Sequence, residues 1–165
     1  MNMRAGIITV SDRSSQGLRA DASGPALAKM LADASIETAR TIIVPDEKKE
    51  IKKAIEELAD RDKLDLILTT GGTGVSPRDV TPDATLEVIE RQIPGMAEVM
   101  RCESLKITPH AMISRAVAGI RGDSLIINLP GSPKGAAENL AAVMPALKHA
   151  IEKIKGDPSE CAASI

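Results

Sequence analysis

The chain has no phenylalanine, tyrosine or tryptophan among its 165 residues. That absence removes the large rigid fillers of a core and the stacking platforms on which single-stranded nucleic acid usually rests. Leu, Ile, Val, Met and Ala must fill the interior, and a ring-shaped ligand must lie against aliphatic side chains or an arginine plane. A dominant charge is lacking too. With 21 Lys and Arg against 23 Asp and Glu, the net charge is −2; no broad field gathers a polyanion, and no nucleic-acid partner is expected. Cysteine is scarce: Cys102 and Cys161 are too few and too far apart for a zinc site, and both are expected to be structural or incidental. No apolar stretch reaches membrane-spanning length, and MNMRAGIITV is too short for a secretory signal, so the expected setting is the cytoplasm, away from any membrane.

What is present is the balance of a globular protein, 43% apolar and 27% charged, on a chain long enough for one core. A single domain over residues 1–156 is expected, followed by a loose tail at 157–165.

Arg4 to Val10 is rich in Ile and Val and reads as a buried strand ending at the polar run SDRSSQG. Gly24-Pro25 opens a helix, ALAKMLADA. Thr38 to Val44 is a second strand; beyond Pro45-Asp46 a helix follows, with Ile51, Ile55, Leu58 and Ala59 on one face and charge on the other. Leu64 to Leu68 is a third strand, with a glycine loop and a helix near Pro82 to Arg91 after it. Further helices are predicted over Pro94 to Lys106 and, shorter, after Pro109. Gly122-Asp123 precedes a strong strand, Ser124 to Leu129, which ends at PGSPKG. Pro145 is expected to divide the last helical region in two. Strands alternating with helices predict an α/β fold: a three-layer, open, mostly parallel sheet with helices on both faces.

Open parallel sheets bind ligands at the carboxyl ends of their strands, where loops meet helix N-termini and bare amides point outward. The stretch TTGGTGVSPRDVTPDAT, Thr69 to Thr85, stands at such an end. Its glycines suit a backbone nest for phosphate, or a tight turn packing helix against sheet. Neither a P-loop nor a dinucleotide fingerprint fits, because no lysine occurs between Lys63 and Lys106 and Pro77 stands where a third glycine would be needed. Arg78 can grip a phosphate or form a salt bridge. Asp79 can hold a Mg²⁺ that joins two phosphates or can cap its own loop. Asp46, ending the second strand, is either a helix cap or a second carboxylate facing Asp79; Asp83 reads as a first-turn acid behind a Thr81 cap. Ser11 and Asp12 from the first strand-end loop, and Asn128, Gly131 and Ser132 from the fourth, approach the same edge. His110 and His149 are isolated and carry no predicted role. Ser114 lacks a base beside it in sequence, so it has no support as a nucleophile.

TTGGTGVSPRDVTPDAT, PGMAEVMR, SRAVAGIRG and INLPGSPKG, in this order, resemble the molybdopterin adenylyltransferase family of molybdenum cofactor biosynthesis, which includes the MogA and MoaB proteins and is similar to the G domain of gephyrin. The likeness runs from about Ile7 to Ile154, and SDRSSQGLRADASGP looks closer to the MogA pattern than to MoaB. It implies an α/β homotrimer that joins molybdopterin to Mg-ATP, yielding adenylylated molybdopterin and pyrophosphate for a separate molybdenum insertase. By the same resemblance Asp46 and Asp79 serve the metal-dependent step. Gly71, Gly72, Thr73, Gly74 and Ser76 receive the pterin phosphate, Ser114 lies on the pterin side, and Asn128, Pro130, Gly131 and Ser132 lie near the nucleotide. A non-catalytic molybdopterin carrier is the alternative, against which the intact Asp46 and Asp79 speak.

Overall fold

A computed structural model describes residues 2–158. Six strands form one sheet in the order β2-β1-β3-β6-β5-β4: β1 Arg4–Val10, β2 Glu37–Val44, β3 Leu66–Thr70, β4 Arg91–Gln92, β5 Ala118–Arg121 and β6 Ser124–Leu129. β2, β1, β3 and β6 run parallel; β5 and β4 continue the sheet antiparallel. The helices are α1 Asp12–Ser15, α2 Ser23–Asp33, α3 Lys48–Glu56, α4 Thr81–Val88, α5 Pro94–Leu105 and α6 Pro133–Ile154.

β3 and β6 are buried throughout, and β1 from its second residue onward, so their side chains feed two cores. On one face Ile7, Leu68, Leu125 and Ile127 meet α2, α5 and α6 through Leu27, Met100 and Leu140. On the other, Ile8, Ile67 and Ile126 meet Ile51 and Ile55 of α3 and Ala84 of α4. Each fully buried Leu or Ile stabilises by about 1.5–3 kcal/mol, which aliphatic side chains supply here without any ring. The expected three-layer α/β architecture is the one found.

The register brings the carboxyl ends of the four parallel strands level, with Val10 opposite Val44, and Thr9 opposite Thr70, itself opposite Leu129. After β1 the chain crosses through α2 on one face to β2; after β2 it crosses through α3 on the other face to β3. The crevice between β1 and β3 is therefore the point where the winding reverses, the usual ligand position in such sheets.

Several boundaries differ from expectation. The third strand lies two residues later, drawing Thr69 and Thr70 into the sheet. The helix expected to reach Arg91 ends at Val88, because Ile89 turns extended and Glu90 and Ile93 donate to Ile120 and Ala118 carbonyls, forming β4. Thr81 does not cap α4; it is buried, and its hydroxyl donates to the Gly71 carbonyl. Ala118 to Arg121 is an additional strand, folded back on β6 through Gly122 at φ +53°. The segment after Pro109 is a 3-10 turn, Pro109–Ile113. Pro145 does not divide the last helix: α6 is continuous through it. Both Pro145 and Ala141, whose carbonyl loses its partner, face solvent, where water can satisfy that oxygen. Cys102 is a free, exposed thiol. Cys161 and the tail expected at 157–165 lie, from residue 159 onward, outside the described residues. No helix among the described residues is long and apolar enough to cross a membrane.

Candidate functional site

The loops leaving β1, β2 and β3 are locked together by carboxylates. The Asp12 amide donates to Asp46 Oδ2 at 2.8 Å, and the Asp46 amide returns a bond to Asp12 Oδ1 at 3.0 Å. Asp46 therefore spends its carboxylate on the neighbouring loop instead of capping α3, whose cap position is Glu47. Arg78, from the β3 loop, reaches both: its Nε and Nη2 hold the two oxygens of Asp12 at 3.1 and 2.8 Å, and Nη1 holds Glu47 at 2.8 Å. Of its two sequence readings the structure displays the salt bridge. Hydrogen bonds to Asp12 and Glu47 push the guanidinium above its ordinary range, and in return it holds the Asp12 carboxyl below the usual one.

Asp79 lies on the same loop. Its Oδ2 accepts from the Ser76 amide at 2.9 Å, so the loop-cap reading is realised with one oxygen. Oδ1 of Asp79 and Oδ1 of Asp46 accept no hydrogen bond from any described residue. Burial pushes the Asp46 carboxyl up, and the charges of Asp12 and Asp79 push it further, against the Asp12 amide and Arg78. Like charges held close this way favour a bound cation.

Gly72 and Gly74 make this proximity possible. At φ +65° Gly72 passes between Thr81 and Asp46, where an added Cβ would lie 2.5 Å from Thr81 Oγ1 and 3.1 Å from Asp46 Oδ1. A Cβ on Gly74 would meet Asp79 Oδ2 at 2.9 Å. Gly74→Ala is therefore expected to displace Asp79 while the exposed loop yields: turnover falls about tenfold or more, and melting shifts by only a few degrees. Steady-state rates beside a thermal melt check this.

The amides of Gly72, Thr73, Gly74, Gly131 and Ser132 donate to no acceptor among the described residues. Ser132 caps α6, its hydroxyl accepting from the Gly135 amide, so the positive end of a 22-residue helix joins these bare donors. Such a collection is suited to anionic oxygen.

Two cavities open on either side of these glycine loops and share Ser132. One, of about 360 Å³, is polar and lined by Ser11, Ser14, Arg19, Asp21, Asp46, Gly71, Gly72 and Gly131. The other, of about 260 Å³, is mostly apolar: Ile107, Ala111 and Ile113 face Thr73, Gly74, Arg101, Ser114 and Pro130. Each is near the lower limit, roughly 300 Å³, of pockets that enclose one small molecule. Together they suit two ligands meeting end to end over Ser132. Ser76 and Arg78 lie outside both, on the exposed turn.

Asn128 does not line either cavity. It is fully buried, its amide donating to Thr69 Oγ1 and Thr85 Oγ1 and accepting from the Val117 amide, so the nucleotide contact implied by resemblance has no free atom to make it. Sequence reasoning overlooked Asp21, which accepts from Thr9 and from the amides of Ser23 and Gly24, and Ser23, whose hydroxyl donates to Gly131. An acid two residues before Ser-Gly-Pro was a capping signal that could have found them. Arg101 and Asn139, from α5 and α6, carried no such signal.

The residues fit a magnesium ion of one kind only. Among the described residues no group of three or more Asp, Glu, His or Cys side chains could hold a metal. Two carboxylates with one unused oxygen each match the way Mg²⁺ is usually held, by one or two carboxylates with the remaining places taken by water and substrate phosphates.

Fold and site define an α/β protein whose strand-end crevice sets bare backbone amides between two cavities. Residues 6–149 match the family described as a probable molybdopterin binding domain, and the chain belongs to that family. It is 44% identical over 154 residues to the molybdopterin adenylyltransferase of Helicobacter pylori strain 26695, covering 92% of this chain and 88% of that one. Among solved structures, MoaB from Thermus thermophilus superimposes with a TM-score of 0.89 at 52% identity, covering 96% and 99%. A MogA structure superimposes with a TM-score of 0.87 at 38% identity, covering 92% and 99%.

Proposed function

We infer that the protein is a molybdopterin adenylyltransferase, an enzyme of molybdenum cofactor biosynthesis. The phosphate of molybdopterin attacks the α-phosphorus of ATP; the new P–O bond forms as the bond to pyrophosphate breaks, giving adenylylated molybdopterin. The observation that carries this reading is the row of unpartnered amides between two cavities, one apolar and one polar, with the carboxylates of Asp46 and Asp79 packed against Gly72 and Gly74.

The apolar cavity receives the pterin against Ile107 and Ile113, a ring site that needs no aromatic partner. Its phosphate end enters the nest at Gly72, Thr73 and Gly74. The nucleotide lies in the polar cavity, with Gly131, Ser132 and the α6 N-terminus on its phosphates. Held by Asp46 and Asp79, Mg²⁺ would supply neutralisation of charge developing on the phosphates. The attacking phosphate is ionised at neutral pH, so no strong base is required of His110, which merely lines the apolar cavity. Arg78 acts on Asp12 and Glu47, and so on Asp46, in place of a direct phosphate grip.

Homotrimer assembly, hand-over to a molybdenum insertase, a cytoplasmic setting and a single folding unit over 1–156 belong to the same reading. Exposed Val99, Leu105 and Met112, outside the apolar cavity, offer apolar surface for contacts between copies. The test of function is pyrophosphate release from wild-type protein given molybdopterin, ATP and Mg²⁺, with the adenylate identified by mass. Stoichiometric release is expected. Binding of molybdopterin without pyrophosphate would leave a carrier instead.

A further inference from the structure

Arg115 follows Ser114, at the edge of the apolar cavity, yet its bonds lead to the loop that carries Asp79 and to the helix behind it. Its backbone amide donates to the Thr73 carbonyl at 2.8 Å. Its Nε donates to the Gly74 carbonyl at 2.8 Å, and Nη2 to the Asp79 carbonyl at 2.5 Å. Both ends of the GVSPRD turn are thus gathered on one guanidinium. Asp83, in the first turn of α4, fixes that guanidinium from the far side with both oxygens, at 3.2 and 2.8 Å.

Two carbonyl dipoles aimed at one point repel unless a cation with several fixed donors stands between them. A planar fork can serve two carbonyls and a carboxylate together; a lysine ammonium on a flexible stem cannot keep that geometry. Within the turn, the Asp79 amide donates to the Ser76 carbonyl and the Ser76 amide to Asp79 Oδ2, so the turn's shape sets where the Asp79 carboxylate points. The Arg115 and Asp83 side chains are each 40% exposed, which makes their ion pair a small contributor to overall stability. The clasp must act on local geometry.

We propose that Arg115 is a positioning residue for Asp79, holding the Gly74–Asp79 turn closed so that the free carboxylate oxygen stays aimed at the shared cation site. The inference rests on the proposed function only for its kinetic consequence.

The test compares wild type with Arg115→Lys and Asp83→Asn. Amide hydrogen exchange is first read without substrates. In Arg115→Lys the Ser76 and Asp79 amides are expected to exchange about tenfold faster, the loss of one charge-assisted hydrogen bond, with melting shifted by only a few degrees. Asp83→Asn, which leaves the fork in place, gives a smaller increase. In turnover assays the half-saturating Mg²⁺ concentration rises about tenfold in Arg115→Lys, while KM for molybdopterin stays within about twofold. Unchanged exchange at Ser76 and Asp79, or a loss confined to KM for molybdopterin, would overturn the proposal. Failure of the wild-type protein to release pyrophosphate would count against the enzyme assignment alone, since the exchange measurement stands without it.

Discussion

Asp79→Ala and Asp46→Ala each lower turnover by at least about 10²–10³-fold, the scale on which a preorganised electrostatic contact to a transition state is lost, while both variants remain folded. Folding survives because each carboxylate is only half-buried and makes one amide bond, to Ser76 or to Asp12, that contributes roughly 0.5–1.5 kcal/mol. Activity does not, because in the proposed function the unbonded Oδ1 atoms of these two residues would hold the cation. Asp79→Asn separates charge from shape: it retains an oxygen for the Ser76 amide and removes the negative charge, so it should be as inactive as the alanine variant and as stable as wild type. Single-turnover pyrophosphate release beside a thermal melt measures both. An active Asp79→Asn would mean that the residue serves the loop and not the cation.

The second large effect is on stability. Asn128→Ala deletes the hub that joins β3, α4 and the segment before β5, leaving the hydroxyls of Thr69 and Thr85 short of a donor and the Val117 amide without an acceptor. Thr69 and Thr85 are fully buried, so the cost is expected near 3–5 kcal/mol. For a chain of this size that corresponds to a fall in melting temperature of roughly 6–20 °C. In the folded fraction KM for ATP should change little, because Asn128 faces neither cavity. A normal melt with a raised KM would restore the nucleotide role that resemblance implied.

The parts of this molecule legible in the sequence are those written in contiguous residues. Arg4 to Val10 and Ser124 to Leu129 are apolar enough that burial on both faces followed from them directly, and acids or glycines at the strand ends located the crevice. Strands β4 and β5 escaped notice because two and four residues carry too little periodicity, and their pairing depends on backbone bonds from Glu90 and Ile93. Pro145 misled because the cost of a helical proline depends on whether Ala141 can reach water, which only tertiary placement decides. The Arg78 and Arg115 clasps join residues up to 66 positions apart, so neighbouring residues could not name their partners. Asn128 shows the converse: it sits in a motif, at a strand end, beside exposed loop residues, yet its side chain is buried between the sheet and α4.

The central claim is that Asp46 and Asp79 address one divalent cation, held only together with the nucleotide. Its most direct test is Mn²⁺ binding, followed by electron paramagnetic resonance, with and without a non-hydrolysable ATP analogue. Wild type should hold one Mn²⁺ per chain tightly only when the analogue is present, and Asp46→Asn and Asp79→Asn should each weaken that binding by about tenfold or more. Mn²⁺ held as tightly by either variant as by wild type would contradict the account.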